Sequence, residues 1–232
     1  MNDDAMSVLS HLNELKRRLF RVGIVAVIFI AAAVVNFRWI FNQFTADSRE
    51  LIEAAGGDIV QLTPTEAWVA AAKLAVMVGL TAASPYFLFE MSRFFQPGLK
   101  SNERKYIYFL IPGALISFAL GTAFAYLILI PRLFEFMLQF QGSLAVPTIT
   151  TASVVSMTVG IIFWLGTIFE LPIVMFLLAK IGILTSKWLR TKRRWMILLA
   201  FVFGAAVTPT DPISQVIVAI PVMLLFEIGM LL

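Results

Sequence analysis

Residues Tyr106–Ile130 determine the fold class of this chain. They read YIYFLIPGALISFALGTAFAYLILI and contain no charged residue. A helix of this length rises about 37 Å at 1.5 Å per residue. About 20 apolar residues suffice to cross the roughly 30 Å of hydrocarbon in a bilayer. The stretch is therefore predicted to be a transmembrane helix.

The composition of the whole chain agrees with a membrane protein. Of its 232 residues, 60% are hydrophobic and 14% are charged, and the mean hydropathy is +0.90. Soluble domains are nearer half apolar and a quarter charged. In a bilayer the lipid-facing side chains already have an apolar solvent, which removes the cost of exposing them. A soluble fold is excluded on this ground.

Charged residues divide the chain into six apolar stretches, which predict an all-α polytopic membrane protein with six transmembrane helices. The last two stretches are short, because 16 uncharged residues precede Asp211 and 15 follow it. Each covers only about 24 Å, so we expect the bilayer to thin beside them. The predicted spans are Leu19–Phe41, Trp68–Phe95, Tyr106–Ile130, Ser153–Ala179, Trp195–Val207 and Pro212–Met230.

The basic residues predict the orientation of the helices. Fourteen of the eighteen Lys and Arg residues lie before the first span, between the second and third, or between the fourth and fifth. Cytoplasmic loops carry such an excess. The N-terminal segment, residues 1–18, and the C-terminus are therefore predicted to be cytoplasmic, and membrane topology explains the basic runs better than nucleic-acid binding does. A cleaved signal peptide is the alternative for the first span, but its aromatic end at Phe37–Phe41 favours a retained helix.

Three segments predicted to face the other side have their own local signals. Asp47–Asp58 is expected to form a short amphipathic helix that ends at Gly56-Gly57. Thr63-Pro64-Thr65-Glu66 is a capping box, which predicts the start of the next helix. Gln141–Thr151 has the composition of a polar loop.

The residue inventory excludes several chemistries. The chain has no cysteine and one histidine, His11, so no thiolate or His-rich metal site is expected. It has no Gly-x-Ser-x-Gly elbow and no His-Glu-x-x-His motif. We expect no enzyme activity, no cofactor and no metal.

Four local motifs occur in order along the predicted spans. The segment before the first span reads HLNELKRRL, and the segment after the second reads FFQPGL followed by ERK. FELP lies in the fourth span, and TPTD opens the last one. Gln215, AIP and FE follow TPTD within that last span. The motifs occupy His11–Leu19, Phe94–Leu99, Glu103–Lys105, Phe169–Pro172, Thr208–Asp211, Ala219–Pro221 and Phe226–Glu227.

In this order the motifs resemble those of the TatC family, the multi-spanning subunit of the twin-arginine protein translocase. The resemblance covers essentially the whole chain. It implies a receptor for the twin-arginine signal peptides of folded proteins, in a bacterial or archaeal cytoplasmic (inner) membrane. It also implies assembly with TatA/TatB-like single-span subunits and self-association in a complex. The chain departs from the family at Lys16, where the motif has arginine, and it lacks a proline between Asn42 and Ser48.

The resemblance implies that Glu14 and Glu103 bind the paired arginines of the signal peptide. Carboxylates at a fixed spacing suit two guanidinium groups. Each residue also has a local alternative: Glu14 can pair with Arg17 or Arg18 on its own helix, and Glu103 can stabilise a helix start. Phe94 is expected to stack on an arginine or to pack against the peptide, unless it is an interfacial anchor. Lys16 and Arg18 are expected to shape the local field.

Glu170 is the strongest signal that comes from the residues alone, because it interrupts an uncharged run in the fourth span. A carboxyl there is costly unless it is protonated, paired or facing water. We expect a polar patch that faces a cavity or a partner helix, with Gln215 as its companion; a structural hydrogen bond is the alternative. An ion-coupled solute transporter that uses Glu170 is the alternative function. Asp211 precedes Pro212 and is predicted to be a helix N-cap, with a role in translocation as the other possibility.

Overall fold

The computed structural model describes residues 3–96, 106–142, 148–208 and 212–231. In these ranges the chain folds into ten α-helices, one π-helical turn and two short strands. In chain order they are α1 (Asp3–Val35), α2 (Phe37–Ala54), β1 (Asp58–Val60), α3 (Glu66–Phe95), α4 (Tyr106–Phe124), the π-helical turn (Ala125–Leu129), α5 (Ile130–Gly142), β2 (Thr148–Thr150), α6 (Thr151–Phe169), α7 (Leu171–Lys180), α8 (Ser186–Thr191), α9 (Arg193–Val207) and α10 (Pro212–Leu231).

The predicted helical membrane fold is confirmed. Among the described residues, five stretches are long and apolar enough to cross a bilayer: Leu12–Val35, Glu66–Phe95, Pro112–Gln139, Thr151–Lys180 and Pro212–Leu231. The predicted fifth span corresponds to α9, which is shorter than these five.

The helices of the last hairpin differ in length. α9 has 15 residues and is about 22 Å long, as short as predicted. α10 has 20 residues, or about 30 Å, so the shortness expected of the last span is wrong. The sequence estimate counted only uncharged residues, whereas α10 continues for a turn beyond Glu227.

The first two helices are separated by a single residue, Asn36. α1 ends at Val35, and the Asn36 side chain donates a hydrogen bond to the Ala32 carbonyl at 2.8 Å. α2 then starts at Phe37, ten residues before the amphipathic helix expected at Asp47. It ends as predicted, because Gly56 adopts a φ of 75°, a conformation that glycine reaches without steric cost.

A two-stranded parallel sheet joins two segments that are distant in sequence. β1 pairs with β2 in register, with Ile59 opposite Ile149. Beside it, the Glu66 carboxylate accepts hydrogen bonds from the backbone N–H groups of Leu62 at 2.9 Å and Ala152 at 3.0 Å. This carboxylate therefore ties the start of α3 to the start of α6. The polar loop expected at 141–151 thus ends in a strand, while residues 143–147 lie outside the described ranges.

α3 packs against α1 on one side and α6 on the other, and one glycine sets the closest approach to α1. A Cβ on Gly79 would lie 2.7 Å from the backbone nitrogen of Ile30 and 2.8 Å from its Cα. These atoms belong to the backbone, so a side-chain rotation cannot relieve the clash. α1 and α3 can approach this closely because residue 79 has no side chain.

We expect Gly79→Ala to lower the free energy of unfolding by about 1–3 kcal/mol, because α1 must move away from α3. Gly160→Ala is the matched control: it is also a glycine within a helix, and a Cβ there would meet nothing within 4 Å. The control should be neutral or stabilising by up to about 1 kcal/mol. Thermal unfolding of both variants in one detergent measures the difference, and equal behaviour would contradict this packing.

Two ion pairs show that basic residues from different helices share one end of the bundle. Arg18 of α1 contacts Glu90 near the end of α3, and Arg193 of α9 contacts Glu227 near the end of α10. We call this the basic end, and the end with β1 and β2 the opposite end. The arrangement agrees with the charge distribution in the sequence, while the cytoplasmic orientation of the basic end stays a prediction.

Candidate functional site

A buried glutamate at the basic end organises the charged residues around it. Glu90 lies on α3 and is only 2% exposed. Its Oε1 accepts hydrogen bonds from the Tyr86 hydroxyl at 2.9 Å and from Arg21 Nη1 at 3.2 Å. Its Oε2 accepts one from Arg18 Nη1 at 2.9 Å. These donors compensate the charge, which would be very costly to bury alone.

Arg18 connects this buried glutamate to a more accessible one. Its Nε and Nη2 both donate to Oε1 of Glu14, the former at 3.0 Å. The Arg18 side chain is 13% exposed and that of Glu14 is 37% exposed. The guanidinium thus lies between two carboxylates. We refer to Glu14, Arg18, Arg21, Tyr86 and Glu90 as the Glu90 cluster.

The Glu90 cluster borders a cavity of about 440 Å³. The cavity is lined by Asn13, Glu14, Arg17, Arg18 and Arg21. The structure therefore brings two predicted site residues, Glu14 and Arg18, together at one opening. Lys16 lies nearby on α1 and is exposed. Three arginines and one carboxylate line this cavity, so its net charge is positive, and Glu14 is the charged acceptor that it offers to a ligand with directed hydrogen-bond donors.

The intrahelical alternative for Glu14 is present in the structure, since Glu14 pairs with Arg18 four residues on. The predicted partner Glu103 lies outside the described residues. Phe94 is 7% exposed, and its ring centroid lies 5.2 Å from that of Phe95 in an edge-to-face contact. Its contact with a signal peptide therefore stays a prediction.

A second polar feature lies deeper in the bundle. α6 ends at Phe169 and α7 begins at Leu171, so Glu170 occupies the break that Pro172 predicts. Glu170 is 3% exposed. In the described part of the chain its Oε1 has no hydrogen-bond partner, so the structural hydrogen bond considered above is absent for this atom.

Glu170 borders a cavity of about 420 Å³ between α1, α3 and α6–α7. The two hydroxyl groups at this cavity bond to their own helices: Ser84 donates to the Thr81 carbonyl and Thr167 to the Phe163 carbonyl. The remaining lining is mainly aliphatic and aromatic. The carboxyl therefore borders a mainly apolar space that side chains of a partner can enter, one of which could donate a hydrogen bond to it.

Gln215 lies at a different place from Glu170. Its Nε2 donates to the Phe201 carbonyl at 2.9 Å, and its backbone is close enough that a Cβ on Gly204 would lie 2.9 Å from its carbonyl oxygen. The hydrogen bond from Gln215 thus connects α10 to α9. Asp211 lies outside the described residues, so its predicted N-cap role stays untested.

Sequence reasoning did not identify Glu90. Glu90 lies near the charged end of the predicted span Trp68–Phe95, where the uncharged run stops at Phe89, so its sequence position is that of an ordinary boundary residue. Its position within FLFEMSRFF carried a weak signal, since a single acidic residue between aromatic groups near Arg93 needs a partner. Its main partners, Arg18 and Arg21, are on α1, and only the packing of α1 on α3 brings them together.

The apolar helices and the charged basic end define a polytopic helical membrane protein with a cluster of charged residues at one end. A family model described as Sec-independent protein translocase protein (TatC) matches residues 10–221. The chain belongs to the TatC family, and it is a receptor subunit of the twin-arginine translocase.

Individual relatives are similar in sequence to this chain along nearly its full length. The chain is 32% identical to the Sec-independent protein translocase protein TatC of Carboxydothermus hydrogenoformans, covering 99% of this chain and 93% of that one. It is 33% identical to the protein of the same description from Aquifex aeolicus, covering 98% and 94%. A crystal structure of the twin arginine translocase receptor TatC matches with a TM-score of 0.84 and 33% identity, covering 95% of this chain and 96% of the other.

Proposed function

We propose that this chain binds the twin-arginine signal peptides of folded proteins at the basic end, with the carboxylates of Glu14 and Glu103 as acceptors for the two guanidinium groups. The observation that carries the proposal is the held Glu14 carboxylate at the edge of a 440 Å³ cavity. Lys16 and Arg18 shape the field around it, and Phe94 borders the path of the peptide.

Guanidinium suits this site better than ammonium does. Arginine presents a planar fork of donors that matches a carboxylate, while lysine presents a compact, strongly hydrated point charge. Charge-assisted hydrogen bonds between arginine and a carboxylate are short and about twice as strong as neutral ones. Two such contacts, one at Glu14 and one at Glu103, would favour a pair of consecutive arginines over a pair of lysines.

The proposed setting is the cytoplasmic (inner) membrane, with the basic end toward the cytoplasm. The positive-inside bias of the basic residues supports this orientation. TatA/TatB-like single-span subunits are the proposed partners, together with further copies of this chain in a complex. The Oε1 of Glu170, which has no partner within the described ranges, and the apolar cavity beside it support a contact with one partner helix. Gln215 and Asp211 are proposed to contribute from the last hairpin.

Photo-crosslinking tests the location of the peptide. We expect a photoreactive residue at Asn13, which lines the cavity, to crosslink a twin-arginine peptide near its arginines. The crosslink should weaken at least about tenfold when both arginines are lysines, since two charge-assisted bonds change. The control is the same probe at Glu135, an exposed residue that also pairs within its helix but lies on α5, away from the basic end. Crosslinking at residue 135 instead of residue 13 would contradict the proposal.

A further inference from the structure

We propose that Glu90 is a positioning residue for the receptor site: it holds Arg18, and Arg18 in turn fixes the carboxylate of Glu14 in the orientation that accepts a guanidinium. This inference rests on the proposed function, because it assigns a role in that same site. Glu90 itself is buried and does not line the cavity described above, so it acts through Arg18.

Glu90 is itself fixed on both carboxylate oxygens. Tyr86, one turn earlier on α3, and Arg21 of α1 donate to Oε1, while Arg18 donates to Oε2. The donors therefore come from two helices and approach from different sides. A carboxylate held in this way has one orientation, and it provides a rigid acceptor for Arg18.

All three guanidinium nitrogens of Arg18 are used. Nη1 donates to Glu90, while Nε and Nη2 donate to Glu14. Because the guanidinium group is planar, fixing Nη1 on α3 also fixes the direction in which the other two nitrogens point. A pair between Glu14 and Arg18 alone, four residues apart on an exposed helix face, would be weak and mobile. The anchor on Glu90 makes it a fixed contact.

A fixed Glu14 matters for selecting arginine over lysine. A mobile carboxylate can follow an ammonium group, whereas a fixed one favours the ligand whose donors already match its geometry. The charge of Glu90 acts in the same direction. The negative charge of Glu90 partly neutralises the positive charge of Arg18, so Arg18 repels an incoming guanidinium less strongly. Removing the charge of Glu90 therefore reduces both the affinity for paired arginines and the preference over lysines.

The test is Glu90→Gln, which keeps the shape of the side chain and an acceptor for Tyr86 but removes the charge. We expect the affinity of the full-length protein in nanodiscs for a twin-arginine peptide to fall about tenfold, the size of a typical coupling between contacting residues. The affinity ratio between the twin-arginine and the twin-lysine peptide should fall as well. Tyr86→Phe removes one bond to Glu90 and keeps its charge, so it should give a smaller loss in the same direction.

Repeating the substitutions in the Glu14→Ala protein shows whether Glu90 positions Glu14 or has only a structural role. In Glu14→Ala, adding Tyr86→Phe should cause no further loss of peptide affinity, and adding Glu90→Gln should cause a clearly smaller loss than in the native protein, because the residue they position is gone and only the charge effect of Glu90 remains. Equal losses in both backgrounds, or no loss in the native one, would overturn the role of Glu90 and leave the receptor site intact. If Glu14→Ala itself binds the peptide normally, the proposed function fails, and this inference with it. Glu135→Gln, which disrupts an exposed ion pair with Arg132, is the control and should change nothing.

Discussion

Replacing Glu14 or Glu103 by alanine is expected to weaken binding of a twin-arginine signal peptide by about 2–5 kcal/mol each, which corresponds to about 30-fold or more in affinity. The loss is large because a guanidinium that has left water for this site would lose its acceptor. For Glu14 a second effect adds to it, since Arg18 would then keep only Glu90 as its acidic partner and its charge at the cavity would be less compensated. Titration of a labelled peptide against the purified protein measures the change.

The control for this prediction is Glu135→Ala. Glu135 has a side-chain exposure of 45% and pairs with Arg132, so it matches Glu14 in exposure and in having an intrahelical partner. It lies on α5, away from the Glu90 cluster, and its removal should leave peptide affinity unchanged. If the Glu14→Ala and Glu103→Ala proteins both bound the peptide as tightly as the native protein, the two acidic residues would have no part in recognition.

Replacing Glu170 by alanine is expected to abolish export and to weaken association with the single-span partner, while peptide affinity changes by less than about twofold. The carboxyl is not part of the Glu90 cluster; it borders a mainly apolar cavity, and its Oε1 has no hydrogen-bond partner among the described residues. A group of this kind has a high cost in the isolated protein. We therefore expect Glu170→Ala to raise the free energy of unfolding by about 1–3 kcal/mol, the desolvation cost of an unsatisfied polar group.

If the Glu170→Ala protein is more stable but no longer exports cargo, Glu170 is a functional residue and not a structural one. Thr158→Val is the matched control: Thr158 is fully buried on α6, and its hydroxyl also has no partner in the described part of the chain. That variant should gain stability and keep export. A Glu170→Ala protein that is destabilised and still exports cargo would show that the carboxyl has only a structural role.

The elements that periodicity and charge determine were predictable from sequence. Tyr106–Ile130 and the run around Glu170 are apolar for longer than a soluble helix requires, so their place in the membrane fold followed directly. The break at Glu170 was also predictable, because Pro172 cannot donate a backbone hydrogen bond and disrupts a continuing helix. Gly56 ended α2 as expected for a glycine with positive φ.

Features that depend on contacts between distant segments were not predictable. β1 and β2 are three residues each and pair across almost ninety residues of sequence, so neither has a local signal. The ion pair between Arg193 of α9 and Glu227 of α10 likewise joins two helices and has no local signal in the sequence. In the candidate site, Glu14 and Arg18 could be named from a local motif, whereas the role of Glu90 required knowing that α1 packs beside α3.

The most direct test of the central claim is a double-mutant cycle in which one substitution is made in the protein and the other in the peptide. Affinities are measured for the twin-arginine and twin-lysine peptides with the native protein and with the Glu14→Ala, Glu103→Ala double variant. We predict that lysine replacement weakens binding strongly in the native protein and has almost no effect in the double variant, because the carboxylates that distinguish the two cations are gone. An equal loss on lysine replacement in both proteins would show that the paired arginines are recognised elsewhere.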